Sequence, residues 1–245
     1  MPFSIKLSRP VVPGRIPSFD TCMQSARQIM ADTANWTEGK TFNDGSCRTY
    51  IKKIPSGPPW HMRVTRHGPQ DGTFTDFWNA LGSNHAENEL QYIPELSKAT
   101  MMQAIEPGVM EVWSLHYALS SPFSPRTFTV LMVTHLEAVS PRQGWVISIP
   151  FDPKGDEGLM SLEERGVRGR YAAVERLREL EDGTVEWRVA TTTTVGGFVP
   201  DWVTTRAVPK AIAEDVLQFL AWMRQKRGQG AGSANNVVAT SSKTA

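Results

Sequence analysis

Two charged side chains fall on strand faces that are otherwise apolar, and they are the first candidates for chemistry. In RTFTVLMVTHL, Arg126 shares a face with Phe128 and Val130, because side chains alternate along a strand. In YAAVERL, Glu175 shares a face with Tyr171 in the same way. A charge on an apolar face is costly unless it is paired. We therefore expect Arg126 and Glu175 to pair with each other, or to orient a polar group of a ligand; the alternative is that Arg126 reaches solvent beside a turn.

Aromatic side chains form a second group of candidates. Trp113 and Tyr117 lie on one face of EVWSLHYAL, and Trp187 lies in a later strand. Together with Phe198, which follows a double glycine, they are predicted to contact a ring-bearing ligand. Core packing is the alternative for each of them, since large apolar side chains are usually buried.

Possible proton-transfer residues are few. His85 follows Asn84 where a helix is predicted to begin, and His116 points away from the face that carries Tyr117. We take His85, His116 and Tyr117 as the candidate catalytic residues. The chain contains no GxSxG, HExxH, GxGxxG or P-loop pattern, so the sequence predicts no cofactor and no metal site and leaves open whether the protein is an enzyme.

Composition restricts the class of protein. The chain has 245 residues, 40% of them hydrophobic and 21% charged, with a net charge of +1, which is typical of a globular protein with no general attraction to nucleic acid. Cys22 and Cys47 form no CxxC motif, so neither a disulfide framework nor a structural zinc site is expected. No segment reaches the roughly 20 apolar residues of a membrane span. We expect a cytoplasmic protein without an integral membrane segment and without a nucleic-acid partner.

The elements that must position these residues follow from periodicity and turn residues. Helices are predicted at 18–32, in two short pieces within 73–96, and at 208–224. Strands are predicted at 47–54, 60–67, 99–106, 110–119, 126–139, 144–151, 168–180 and 184–194. The order indicates an α+β fold in which a run of antiparallel strands precedes a long C-terminal helix.

The C-terminal helix carries an apolar stripe that must pack against something. The stripe consists of Ile212, Val216, Phe219, Leu220 and Met223. A curved antiparallel sheet that half-wraps this helix would bury the stripe and leave a hollow between sheet and helix, where a hydrophobic ligand fits. The Gly196-Gly197 pair would let the last strand turn sharply toward the helix.

Several segments in this order resemble the START superfamily of lipid-transfer-like, polyketide-cyclase-like helix-grip domains. More narrowly, they resemble a fungal START-like family of uncharacterised function. The segments are NHAENELQYIPEL, VWSLHYALSSPFSPRTFTVL, YAAVERL, VEWRVATTTTVGGFVPDW and AIAEDVLQFLAW. The resemblance implies a START-like helix-grip fold, with a curved antiparallel sheet around the C-terminal helix and an internal hydrophobic cavity.

The resemblance also implies a range of functions, and the composition and the predicted elements give a domain plan. We expect an N-terminal extension at 1–17, the START-like domain at 18–227 and a disordered tail at 228–245. The expected partner is a small hydrophobic ligand or lipid; the alternatives are a cyclase of fungal secondary metabolism that shapes a polyketide or terpenoid intermediate, and an interaction module. In that family the run from Asn84 to Glu89 recurs as a unit, which implies that His85 meets Glu89 one helical turn later. The pair would be a structural clasp, which we favour, or a proton-transfer pair.

Overall fold

The structure is a computed structural model that describes residues 3–119, 121, 123–197 and 201–241. Within 201–241, side chains are described for residues 207–228.

A single curved sheet of ten strands organises the described part of the chain. Its strand order is β1-β2-β3-β10-β9-β7-β6-β5-β4, and all of these neighbours are antiparallel; β8 adds a short parallel pairing to β6. The strands are β1 Thr37–Phe42, β2 Cys47–Lys52, β3 Trp60–His67, β4 Leu96–Glu106, β5 Met110–Tyr117, β6 Arg126–Glu137, β7 Gln143–Pro150, β8 Val167–Arg168, β9 Arg170–Glu179 and β10 Val185–Thr194.

Five α-helices accompany the sheet in the described residues. They are α1 Phe19–Ala31, α2 Phe74–Leu81, α3 His85–Tyr92, α4 Glu157–Leu162 and α5 Asp201–Ser241. Ser18 caps α1, and a capping box between Thr73 and Asp76 begins α2, so short polar side chains set where both helices begin. Asn84 occupies the N-cap position of α3, as predicted, but it does so in the left-handed conformation and without a side-chain cap hydrogen bond.

The two faces of the sheet carry different layers because side chains alternate along each strand. Along β6, Leu131 and Val133 pack in the cluster that contains α1, whereas Val130 and Met132 pack in the cluster that contains Ala86 of α3. A third cluster joins α2 and α5 to β9 and β10. The helices α2, α3 and α5 therefore cover one face, and α1 covers the other. We call the region between the sheet and the helices α2, α3 and α5 the interior.

The predicted C-terminal helix and its buried stripe are confirmed. All five stripe residues are buried, and Phe219 is completely so. Its ring lies 5.0 Å from that of Trp187 and 5.5 Å from those of Phe77 and Tyr92, measured between ring centroids. The sheet therefore grips this helix through one aromatic cluster, and the fold is the α+β helix-grip fold that the sequence predicts.

Three elements and one boundary differ from the sequence prediction. The strand β1 (TEGKTF) is mostly polar and exposed at a sheet edge, so it lacks the apolar alternation from which strands are predicted. The helix α4 and the strand β8 are too short to show a periodic pattern. The C-terminal helix begins at 201 and its backbone continues to Ser241, across most of the segment for which the composition predicts disorder; the domain boundaries stay a prediction.

The double glycine adopts the conformation that the sequence argument requires. Gly196 and Gly197 both have φ of +67°, in the left-handed region that is favourable for glycine. A Cβ atom at Gly196 would also collide with the carbonyl oxygen of Arg168. The last strand therefore ends in a turn that other residues adopt only with strain.

Candidate functional site: a buried polar cluster inside the helix grip

A group of charged side chains lies in the interior, between the sheet and the helices. His85 and Glu89 come from α3, and Glu175 comes from β9. His85 Nε2 lies 3.3 Å from Glu89 Oε1 and 3.9 Å from Glu175 Oε1. We call these three residues the His–Glu–Glu cluster. One imidazole therefore faces two carboxylates.

The orientation of His85 follows from the break between two short helices. The ring begins α3 and reaches back to the end of α2, where His85 Nδ1 lies 2.6 Å from the carbonyl oxygen of Leu81. A carbonyl can only accept, so Nδ1 carries a hydrogen and donates it. Burial alone would lower the pKa of His85, but Glu89, then Glu175 and this carbonyl outweigh it and raise the pKa to about 9. His85 is therefore a cation at neutral pH.

Glu175 is held by a hydrogen bond and by two cations. Trp187 Nε1 on the neighbouring strand donates to Glu175 Oε2 at 3.1 Å. Burial raises the pKa of Glu175, whereas His85 and Arg63 act in the opposite direction. The guanidinium of Arg63 stacks on the Trp187 ring, with its central carbon 3.7 Å from the ring centroid.

Arg63, beside the cluster, has buried hydrogen-bond donors without a partner among the described residues. It is 2% exposed, and its Nε and Nη1 atoms have no hydrogen-bond partner in the described part of the chain. Burial lowers its pKa, and the nearby carboxylates of Glu175 and Asp215 counteract this. A buried donor without a partner costs free energy, so these N–H groups are available to donate to an acceptor atom.

Several polar side chains lie deep in the protein without being fully covered. Burial raises the pKa of Asp215 on α5 to about 7, and burial raises the pKa values of Tyr117 and Tyr171 well above their usual range. These three side chains are nevertheless partly exposed. The same holds for Glu89 and Glu175, whose side chains are 13% and 16% exposed.

The predicted pairing of Arg126 with Glu175 is wrong. Glu175 is opposite Val146 of β7, which is opposite Thr134 of β6. Thr134 lies eight residues along β6 from Arg126, a separation of about 26 Å at ~3.3 Å per residue. Arg126 Nη1 instead donates to the carbonyl of Ser124, and its Nε atom is buried without a partner among the described residues. Each of the two residues does lie on the strand face that the alternation predicts. This alternation, however, does not specify how far apart Arg126 and Glu175 lie along the sheet.

The predicted aromatic residues meet different surroundings. Trp187 contacts the cluster through Glu175, as described above. Trp113 is buried in the core, with Nε1 donating to Glu111 Oε2 at 3.0 Å. Tyr117 stacks edge-on against Phe128. Phe198 lies outside the described residues, so its proposed contact with a ligand stays a prediction.

His116 does not join the cluster. It lies on the opposite face from Tyr117, as its position in the strand predicts, and its Nδ1 is 3.1 Å from Thr127 Oγ1. The three candidate catalytic residues are therefore split between the two faces of the sheet, and only His85 sits among ionised partners.

Sequence reasoning missed Arg63 and Asp215. A signal existed for Arg63, because the segment WHMRVTRH places it on one strand face with His61 and His67, and all three are buried. Burial lowers the pKa of both histidines to about 4, so they are neutral at pH 7. Asp215 gave less signal, since it lies beside an apolar helix stripe where a carboxylate ordinarily reaches solvent.

Two clefts in the described residues open away from this cluster. One has a volume of about 640 Å³ and lies between the N-terminal segment, the end of α1 and the β2–β3 connection. The other has a volume of about 290 Å³ and is lined by residues that include Thr129, Glu163 and Arg168. Among the helices described, none is both long and apolar enough to cross a membrane.

Comparison with solved structures places the fold among START domains. Human StAR-related lipid transfer protein 5 matches with a TM-score of 0.67 and 14% identity, over 85% of this chain and 96% of that one. Human STARD10 matches with a TM-score of 0.67 and 10% identity, over 90% of this chain and 85% of that one. A STAR-related lipid transfer protein from Xanthomonas axonopodis matches with a TM-score of 0.56 and 14% identity, over 77% of this chain and 98% of that one. At these identities the matches show the fold alone, and the resemblance to the START superfamily is confirmed.

No curated protein matches the chain. A family model does match, over residues 60–223, which include β3 with Arg63, the whole His–Glu–Glu cluster and the apolar stripe of α5. The chain therefore belongs to the family described as "Protein of unknown function (DUF3074)", a START-like family by its fold.

Proposed function

We propose that the protein binds a small hydrophobic molecule or a lipid in the interior between the concave sheet and α5. The observation that carries this proposal is the set of deep but incompletely covered side chains, among them Tyr117, Tyr171 and Glu175. A protein interior is normally close-packed, so uncovered surface at this depth favours a ligand space.

The chemistry of the surrounding side chains suits an apolar ligand with one polar end. Phe128 lies edge-on to Tyr117 and Tyr171, with ring centroids 5.5 and 5.6 Å apart, and together they offer an aromatic surface. Arg63 offers the nitrogens Nε and Nη1, unpartnered in the described part of the chain, as hydrogen-bond donors in the same interior. Shape and aromatic contact would supply most of the affinity, and Arg63 would select a carbonyl, hydroxyl or acidic group.

The similar structures agree with this proposal. Two of them are titled as lipid transfer proteins, and their fold is the one seen here. A shared fold hosts many functions, so the argument for a ligand rests on the interior of this chain.

The His–Glu–Glu cluster favours a second candidate, a cyclase-type enzyme that shapes a polyketide or terpenoid intermediate. Such an enzyme works largely by holding a flexible substrate in a reactive geometry. The imidazolium of His85 would protonate a carbonyl oxygen as the ring forms, and Glu89 or Glu175 would accept a proton. The alternative, which the sequence favours, is that His85 and Glu89 form a structural clasp and take part in no reaction.

Native mass spectrometry and titration with an apolar fluorescent probe test ligand binding. The decisive variant is Ala173→Phe, because Ala173 lies between Tyr171 and Glu175 on the same face of β9 and is nearly buried. The added ring would fill the interior, so we expect the probe to bind the natural sequence and to lose affinity at least tenfold in this variant. Ala104→Phe, at an exposed position of the edge strand β4, is the matched control and should bind normally. Absence of both a co-purified molecule and probe binding in the natural protein would refute the proposal.

The cyclase candidate needs a separate readout. A linear polyketide precursor should give a changed pattern of rings in the presence of the protein. The variant His85→Gln should abolish that change, while it still binds the probe. If the natural protein does not change the products, the cyclase candidate is refuted and only the binding function remains.

A further inference from the structure

The His–Glu–Glu cluster has the composition and spacing of a metal site. We propose that His85, Glu89 and Glu175 bind one divalent transition-metal ion, with Zn²⁺ as the type ion. This goes beyond ligand binding and does not depend on it. The sequence predicts no metal site, because Glu175 joins the helix pair only through the fold.

The distances between the three ligand atoms come close to those around a single ion. With metal–ligand bonds of about 2.1 Å, neighbouring ligand atoms stand about 3.0 Å apart in octahedral geometry and about 3.4 Å apart in tetrahedral geometry. His85 Nε2 lies 3.3 Å from Glu89 Oε1 and 3.9 Å from Glu175 Oε1. One ligand atom from each residue falls within a mutual distance of 4.8 Å, and no other such group of three was found among the residues that the structure describes. Small side-chain rotations would therefore suffice to close the site.

The groups around these ligands orient them as in known metal sites. The Nδ1–H of His85 is directed to the Leu81 carbonyl, which leaves Nε2 facing the carboxylates. Trp187 Nε1 donates to the Oε2 atom of Glu175, so the Oε1 atom is free to bind an ion. Metal-bound histidines and carboxylates are characteristically held by such outer hydrogen bonds.

A second observation points to a missing partner in the cluster. Glu89 Oε2 is buried and has no hydrogen-bond partner in the described part of the chain. A buried carboxylate oxygen without a donor is unfavourable, and a metal ion would satisfy it directly or through a bound water. A bound ion would displace the Nε2 proton of His85, because only a neutral imidazole ligates a metal, and the carboxylates of Glu89 and Glu175 would then balance the two charges of the ion.

The ligand types narrow the class of metal. One imidazole nitrogen and two carboxylate oxygens suit Zn²⁺, Mn²⁺ or Fe²⁺, whereas thiolate-preferring ions lack their ligand here. Cys22 packs in the core on the other face of the sheet, and neither Cys22 nor Cys47 belongs to this group of ligands. Three protein ligands leave at least one coordination position for water or substrate, as in catalytic rather than structural zinc sites.

Metal binding by the full chain tests this proposal. Protein stripped with a chelator would be incubated with Zn²⁺ alone, freed of excess ion by gel filtration, and analysed for zinc per chain. Titration calorimetry would give the affinity, and Co²⁺ in place of zinc would report the geometry by its visible absorption. We expect one ion per chain, and a weakening of at least about tenfold in Glu89→Gln and in Glu175→Gln, which keep the size of each side chain.

A second buried pair supplies the control. His67 Nδ1 lies 3.5 Å from Asp71 Oδ2, four residues apart, but this pair belongs to no group of three ligands. Asp71→Asn should bind zinc like the natural sequence, and circular dichroism would verify that every variant is folded. Zinc should also raise the melting temperature of the natural protein but not that of folded Glu89→Gln. No bound zinc, or zinc bound equally well by both glutamine variants, would show that the cluster is an ion pair only.

Discussion

Truncation of Phe219 to alanine tests the grip of the sheet on α5 most directly. The side chain is completely buried, and its ring packs among those of Phe77, Tyr92 and Trp187. Replacement by alanine removes the apolar area of a whole ring and leaves a cavity that surrounding aromatic rings cannot easily fill. Substitutions of this kind cost about 3–5 kcal/mol. We therefore expect the free energy of unfolding to fall by that amount.

The assay is urea denaturation followed by circular dichroism, with two comparison variants. Leu217 lies two residues away on the same helix and is 52% exposed, so Leu217→Ala should change the unfolding free energy by no more than about 0.5 kcal/mol. Phe219→Leu, which keeps part of the volume, should lie between the two. A loss below about 1 kcal/mol in Phe219→Ala, or an equal loss in Leu217→Ala, would show that α5 does not pack as described.

Three further predictions follow from charge and backbone geometry. Burial raises the pKa of Asp215 from 3.8 to about 7, and each of these three units corresponds to ~1.4 kcal/mol. Asp215→Asn should therefore stabilise the protein by about 4 kcal/mol at pH 8, and this gain should shrink as pH falls from 7 toward 4. A gain that does not change with pH would contradict this. In chelator-treated protein the pKa of His85 is raised from 6.5 to about 9, so its contribution to stability is fully present below pH 6.5 and lost as pH rises through 9. The unfolding free energies of His85→Gln and of the natural protein, both free of metal, should converge over that range, and a constant difference would refute this. Gly196→Ala should destabilise the protein by more than about 1 kcal/mol. Gly228→Ala should not destabilise it, because nothing lies near the added methyl group. Thermal melting of both variants tests this.

The sequence by itself determined the local elements with strong periodicity. The apolar stripe from Ile212 to Met223 predicted a buried helix, and the alternating segments predicted the strands from β2 to β10 except the two-residue β8. Helical spacing also placed His85 beside Glu89, because residues four apart on a helix are neighbours. These features depend on interactions within a few residues along the chain.

Tertiary structure alone decided which of these elements meet. Arg126 and Glu175 have the same strand-face pattern, yet the register of β6, β7 and β9 separates them, and a local pattern carries no information about register between distant strands. The pairing of β10 with β3 brings Arg63 to Trp187, and the packing of α3 on the sheet brings His85 to Glu175. The candidate site is thus assembled from α3, β3, β9 and α5, whose contacts arise only when the sheet closes around the helix.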